Sequence, residues 1–146
     1  MSIEENKTIV RRHLEQLCNK DRWAAANEMY AAHYIHHNPL TPHVPFNSQH
    51  EQDPIVMLRM ALPDLRITID NMLVKGEKVV VRWRITGTDK GGFFGALPTG
   101  NQVMIMGTST FRVDDGKIVE DWLQLDLLRL VEQIQGSAKN ATKSIL

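Results

Sequence analysis

The sequence is poor in the features that would assign it quickly. It has one cysteine, Cys18, in 146 residues, so an internal disulfide is excluded and a reducing compartment fits. Its 17 basic residues balance 17 acidic ones, leaving no electrostatic footprint for nucleic acid or an anionic membrane. No apolar run approaches the roughly 20 residues needed to span a bilayer. The first residues, MSIEENKT, have neither the basic start nor the apolar stretch of a signal peptide. The expectation is a soluble, cytoplasmic protein. There is no internal repeat, low-complexity segment or linker. What is present is an ordinary apolar fraction, 42%, in a chain long enough for one domain with a core and too short for two. The domain is expected over residues 1–136, with 137–146 as a tail.

Ser2 followed by Glu5 is a capping-box pattern, and Ile3, Val10, Leu14 and Leu17 form one helical stripe to about Cys18. Asp21 can cap a second helix, with Trp23, Ala26 and Tyr30 on one face, running out near His33. The segment from Tyr34 to His50 carries three prolines, which forbid a continuous helix and argue against a central strand. Asp53-Pro54 starts a short helix lined by Ile55, Leu58 and Leu62 and stopped by Pro63. Leu65, Ile67 and Ile69 alternate with polar residues in a strand continuing to Val74. After a turn at Lys75-Gly76-Glu77, Val79, Val81, Trp83 and Ile85 alternate in a second strand. The glycine-rich stretch from Gly87 to Gly100 is expected to be a loop, and a loop of this length is more often functional than idle. It lacks the spacing of a phosphate cradle.

The densest pattern runs from Val103 to Asp126. Two strands flank Asp114-Asp115-Gly116, residues that tolerate the left-handed angles of hairpin turns. A three-residue loop with a bulge pairs Phe111 with Val119 and Ser109 with Asp121. One face then holds Gly107, Ser109, Phe111, Val119, Asp121, Leu123 and Leu125, apolar except for a serine and a carboxylate. A four-residue loop would place Glu120, Trp122, Gln124 and Asp126 there instead, because a one-residue slip exchanges the faces. Asp126 reads as the cap of a last helix with Leu127, Leu130, Val131 and Ile134 on one side, ended by Gly136. Helices first, then a four-strand meander, then a helix, is an α+β pattern. Its antiparallel sheet would curl around the helices.

Several motifs, in order, resemble the SnoaL-like polyketide cyclase and ester-cyclase family of the nuclear transport factor 2-like, ketosteroid isomerase-like superfamily. They are Tyr34-Ile-His-His-Asn-Pro39, Leu62-Pro-Asp-Leu65, Val79-Val-Val-Arg-Trp83, Gly87-Thr88, Gly95-Ala-Leu-Pro-Thr-Gly100, Gly116-Lys-Ile-Val-Glu-Asp-Trp122 and Asp126. The resemblance implies a homodimer of cone-shaped α+β domains, each a curved antiparallel sheet around helices with a deep apolar pocket and no cofactor. It also implies acid-base chemistry beside a carbonyl, carried by an aspartate of the last strands: aldol cyclisation, isomerisation or dehydration of a small, largely apolar or polyketide-like molecule. A non-catalytic ligand-binding protein of the same fold is the alternative. The chain departs from the family pattern at Leu123, where many relatives have an acidic residue, and at Asp89, where many have histidine.

Asp121 is the candidate acid-base, and a carboxyl among apolar side chains has its charged form destabilised. Candidate substrate contacts are His37 or Asn38 at the pocket rim, Trp83 and Phe111 as wall or core, Ser109 and Leu123 beside Asp121, and Phe94 on the glycine-rich loop. For His37 and Asn38 the competing reading is a loop that seals the barrel. Glu120 is expected on the opposite face with Trp122, and Arg82 and Arg84 on the outer face within reach of it. Five of the six histidines fall between His33 and His50, but no cysteine or acidic residue completes a ligand spacing, so no metal is expected.

Overall fold

A computed structural model describes residues 2–16, 29–37, 46–47, 54–93 and 95–135. Helix α1 is Ile3–Glu15. Strands β1, Tyr30–His37, and β2, Phe46–Asn47, precede helix α2, Pro54–Ala61. Strands β3 (Arg66–Lys75), β4 (Lys78–Thr88), β5 (Gln102–Asp114) and β6 (Lys117–Leu125) form the meander. Helix α3, Leu127–Ile134, follows. One sheet runs in the order β2-β1-β6-β5-β4-β3. It is mixed, because β1 lies parallel to β6 while the other pairs are antiparallel.

The capping box forms as the sequence implies. Ser2 Oγ accepts from Glu5 N at 3.1 Å and Ser2 N donates to Glu5 Oε2 at 2.9 Å. Such a cap stabilises a helix start by about 1 kcal/mol. Asn6, Val10, His13 and Leu14 are the buried side of α1, whereas Ile3 is exposed.

The proposed second helix does not extend to His33. Tyr30–His37 is a strand, and it lies inside the sheet rather than in an irregular segment. Tyr34 turns inward while Ile35 is exposed, the period of two that a strand imposes. The prolines that argued against a central strand all follow its last residue. Asp21, Trp23, Ala26, Leu17, Cys18, Asp53 and the tail from residue 137 lie outside the described residues.

The meander matches its expected boundaries closely. Val79, Val81, Trp83 and Ile85 are buried on one face of β4. Opposite them on β5 stand Phe111, Ser109, Gly107 and Ile105. In β3 a register shift between Ile69 and Asn71 turns Ile67, Ile69, Met72 and Val74 to this same inner face, where they pack on the core.

The β5–β6 hairpin has a tighter turn than expected. Asp114 pairs with Lys117, so the loop is Asp115-Gly116, with φ of +49° and +76°. Positive φ at both central residues is the twist-matching geometry of a two-residue hairpin. The pairing then shifts between Arg112 and Val113, so that Val119 bulges; Phe111 faces Asp121 and Ser109 faces Leu123. Each pair is displaced by two residues from the expected register. A displacement of two keeps Asp121, Leu123 and Leu125 on their expected face, whereas Ile118, opposite Val113, takes the inner place expected of Val119.

Helix α3 starts where Asp126 caps it, its side chain accepting from Arg129 N at 3.2 Å. Leu130 is buried, and Gln133 completes the β5 edge beyond the end of β6. Its Oε1 accepts from Met104 N at 2.7 Å and its Nε2 donates to Met104 O at 2.8 Å. The amide therefore fills both positions that a strand partner would offer.

Candidate functional site

Asp121 is buried on the inner face of β6, 3% exposed. Three strands converge on it. On one side it pairs with Phe111 of β5, and on the other with His36 of β1. The parallel β1–β6 alignment brings Tyr34 and His36, two residues apart, to the face that carries Asp121. The Tyr34 hydroxyl donates to Asp121 Oδ2 at 2.5 Å, and His36 Nδ1 lies against Oδ1. With the carboxylate ionised, that ring nitrogen carries the hydrogen.

The polar cluster continues inward. Tyr34 packs on Tyr30 with ring centroids 4.6 Å apart, and the Tyr30 hydroxyl lies 2.5 Å from His13 Nδ1. His13 in turn meets the edge of Phe111 at 5.1 Å. Helix α1 is thus tied to the strand that holds the Asp121 partners. Phe111, 1% exposed, is core packed on this helix.

Ser109 and Trp83 complete the inner wall. Trp83 Nε1 donates to Ser109 Oγ at 2.9 Å, and both residues are buried. Leu123, opposite Ser109, is half-buried. Asp121, Ser109, Phe111, Trp83 and Leu123 therefore share the inner surface.

His37 does not. It pairs with Trp122 on the outer face, where their rings stack with centroids 5.3 Å apart and 11° between planes. Its Nε2 is 2.6 Å from Glu120 Oε2, and Arg112 Nη2 donates to Glu120 Oε1 at 3.2 Å. The His37 imidazole, with Arg112 beyond it, holds the Glu120 carboxyl below the usual glutamate range against the opposing effect of burial. Adjacent strand residues point to opposite faces, so His36 and His37 cannot both look inward. Lys78 lies over the Trp122 ring at 5.8 Å. Glu120 takes its outer-face position, but its arginine partner is Arg112, its register neighbour. Arg84, a strand further away, binds Asp70 at 2.9 and 3.0 Å instead. Asn38 and Phe94 lie outside the described residues.

Asp89 heads the glycine-rich loop as an internal clasp. Only 1% exposed, it accepts from Gly92 N (3.0 Å), Thr99 N (3.1 Å) and Thr99 Oγ1 (2.9 Å). The loop also closes the end of α2, since Lys90 N and Gly91 N both donate to Ala61 O. A Cβ at Gly91 would stand 1.9 Å from Met60 O, so only glycine permits this approach. Phe93 is buried in the core cluster.

Tyr34 and His36 belong to the Tyr34–Pro39 motif, but the sequence pattern does not by itself bring them to Asp121. The signal for them was the Tyr34-x-His36 alternation, hidden by reading that segment as irregular. Among the described residues, no group of three or more His, Cys, Asp or Glu side chains could hold a metal ion, and no helix is long and apolar enough to cross a membrane.

With this geometry established, the relatives can be placed. The profile of the SnoaL-like polyketide cyclase family matches residues 8–134, and the chain belongs to that family. Its fold is shared with a SnoaL-like protein from Jannaschia sp. CCS1, a candidate polyketide cyclase, at 23% identity and a TM-score of 0.79, over 92% of this chain and 95% of that one. IdmH from Streptomyces antibioticus, also described as a candidate polyketide cyclase, is 24% identical with a TM-score of 0.77, over 88% and 96% of the two chains. AclR from Streptomyces galilaeus, described as a candidate hydroxylase, is 21% identical with a TM-score of 0.80, over 92% and 98%. Among curated proteins none matches.

Proposed function

We propose that the protein is a cofactor-independent acid-base enzyme acting beside a carbonyl, with Asp121 as the proton carrier and a small, largely apolar, polyketide-like molecule as substrate. The observation that supports this most is the desolvated Asp121 carboxyl, held at both oxygens by Tyr34 and His36. A surface aspartate needs no such support. A buried carboxylate without hydrogen-bond partners would be costly, and the two donors from β1 offset that cost while fixing the orientation of both oxygens.

In this reading Asp121 removes a proton from the carbon next to a carbonyl, and the electron pair of the broken C–H bond passes into an enolate. The enolate then attacks a second carbonyl, or is reprotonated at another carbon. Asp121 returns its proton to the oxygen or carbon that closes the cycle, so no net proton is consumed. Tyr34 and His36 are positioning residues: they hold the carboxyl without contacting substrate. Aldol cyclisation, isomerisation and dehydration all begin with this abstraction. The reading carries with it a homodimer, as the family resemblance implies, in a reducing, cytoplasmic compartment, which the single cysteine fits.

Proton abstraction can be measured before the natural substrate is identified. Incubation in deuterium oxide with a panel of aryl β-diketones should place deuterium next to the carbonyl, followed by mass spectrometry. Asp121→Asn should lose exchange by roughly 100-fold or more while its near-UV circular dichroism is unchanged. Equal exchange in Asp121→Asn would remove the residue from the mechanism.

A further inference from the structure

Four inner-face residues form a square on the paired strands β5 and β6, with Phe111 opposite Asp121 and Ser109 opposite Leu123. The apolar pair occupies one diagonal and the polar pair the other. Diagonal neighbours on adjacent strands lie about 7–8 Å apart. The next diagonal, into β4, is polar too. Trp83 faces Gly107 and Val81 faces Ser109, so the indole reaches diagonally over the bare glycine to donate to Ser109 Oγ.

That contact uses a lone pair of the Ser109 oxygen and leaves its O–H. Among the described residues no group accepts this hydrogen, although Ser109 is only 6% exposed. Resting on the acid-base reading above, we propose that the Ser109 hydroxyl binds the carbonyl oxygen of the substrate while Asp121 takes the proton from the adjacent carbon. A carbonyl and its neighbouring carbon, with contacts of roughly 2.6–3.2 Å at each end, bridge a gap of this size. The C–H electron pair becomes the new C=C bond, the carbonyl π pair moves onto oxygen, and Ser109 donates a hydrogen bond to that oxygen without giving up its proton. A donor aimed at developing charge in a water-excluded site favours the transition state over the ground state. The indole N–H behind it polarises the hydroxyl in the sense that strengthens its donation. The ligand class is an enolisable ketone whose oxygen gains charge.

The test uses 2-naphthol and ring-substituted phenols of graded acidity, whose ionised forms place an oxyanion on a flat apolar ring. Asp121→Asn, which presents a neutral group as the protonated carboxyl would, is the host. It should bind the more acidic phenols more tightly, and the bound probe should show the phenolate absorption band. Adding Ser109→Ala should weaken the ionised probes by roughly 10- to 100-fold and remove the dependence on acidity, a change that a purely structural serine would not produce. Ser109→Thr, which keeps the hydroxyl, should preserve that dependence. Should Ser109→Ala not fold, Ser109→Cys, a weak donor, should flatten it likewise. An unchanged dependence on acidity without the hydroxyl, or no binding of any probe to Asp121→Asn, overturns the proposal. Deuterium exchange that persists in Asp121→Asn removes the base and leaves the phenol result standing, so the two readings fail separately.

Discussion

Gly107→Ala isolates the physical basis of the inner wall. A Cβ there would lie 2.4 Å from Trp83 Cζ2, 2.5 Å from Trp83 Cη2 and 2.6 Å from Gln124 O. Neither neighbour yields easily. The carbonyl is backbone, and the indole is anchored to Ser109. Overpacking of this kind costs about 1–3 kcal/mol, and a displaced indole N–H left buried without its acceptor adds about 1–3 kcal/mol. A combined loss of roughly 2–6 kcal/mol corresponds to a fall in Tm of roughly 4–24 °C for a chain of this size. Urea denaturation followed by circular dichroism gives the stability, and the near-UV signal reports whether the indole has moved. Gly76→Ala is the control. Its Cβ meets nothing within 4 Å but its φ is +59°, so it should lose only about 1–2 kcal/mol from the left-handed backbone. If Gly107→Ala loses no more than Gly76→Ala, the indole is not wedged where its contacts place it, and the diagonal from Trp83 to Asp121 loses its first member.

Two other substitutions probe independent parts of the molecule. Asp89→Ala removes the acceptor shared by Gly92 N, Thr99 N and Thr99 Oγ1. It should cost about 2–4 kcal/mol and raise amide hydrogen exchange through the glycine-rich loop, an effect absent if the loop is held by Phe93 alone. Glu120 titrates below its ordinary range in the folded protein, chiefly through His37. Its contribution to stability is therefore present above the unfolded glutamate value, about 4.3, and is lost as pH falls through the lower folded value. Glu120→Gln should lower stability near neutral pH by under about 1 kcal/mol, as for a partly exposed pair. It should also make the acid limb of a Tm-against-pH curve shallower, and an unchanged limb would show the pair to be energetically idle.

The meander was legible because its information is local. Val79, Val81, Trp83 and Ile85 announce a strand by alternation, and Asp115-Gly116 announces the turn by residue type. The segment around Tyr34 was not legible for the opposite reason. Its strand is stabilised by parallel pairing with β6, which lies more than 80 residues away in the chain. Three nearby prolines supplied a strong but misplaced signal against it, since all of them follow His37. The expectation of His37 at the pocket rim follows from the same error, because a residue read as loop has no face to be assigned to.

Asp121 reached its expected surface by a route that differed from the one anticipated. The turn is shorter than the one assumed, and the bulge at Val119 lies beyond it rather than within it. Alone, a two-residue turn would pair Phe111 with Glu120 and turn Asp121 outward; the bulge adds the one residue that reverses the alternation. Position 119 therefore decides which carboxylate faces the core. Burial supplies the selection between the alternatives, because the inward set includes Ile118, Asp121, Leu123 and Leu125, whereas the reverse set would bury Glu120 and Gln124 and expose those leucines. Asp121 is the single charged group in the favoured set. Its cost is met by Tyr34 and His36 of a strand that the hairpin itself does not contain. The hairpin thus selects the carboxylate, and the parallel strand makes it tolerable. Neither strand carries the site alone.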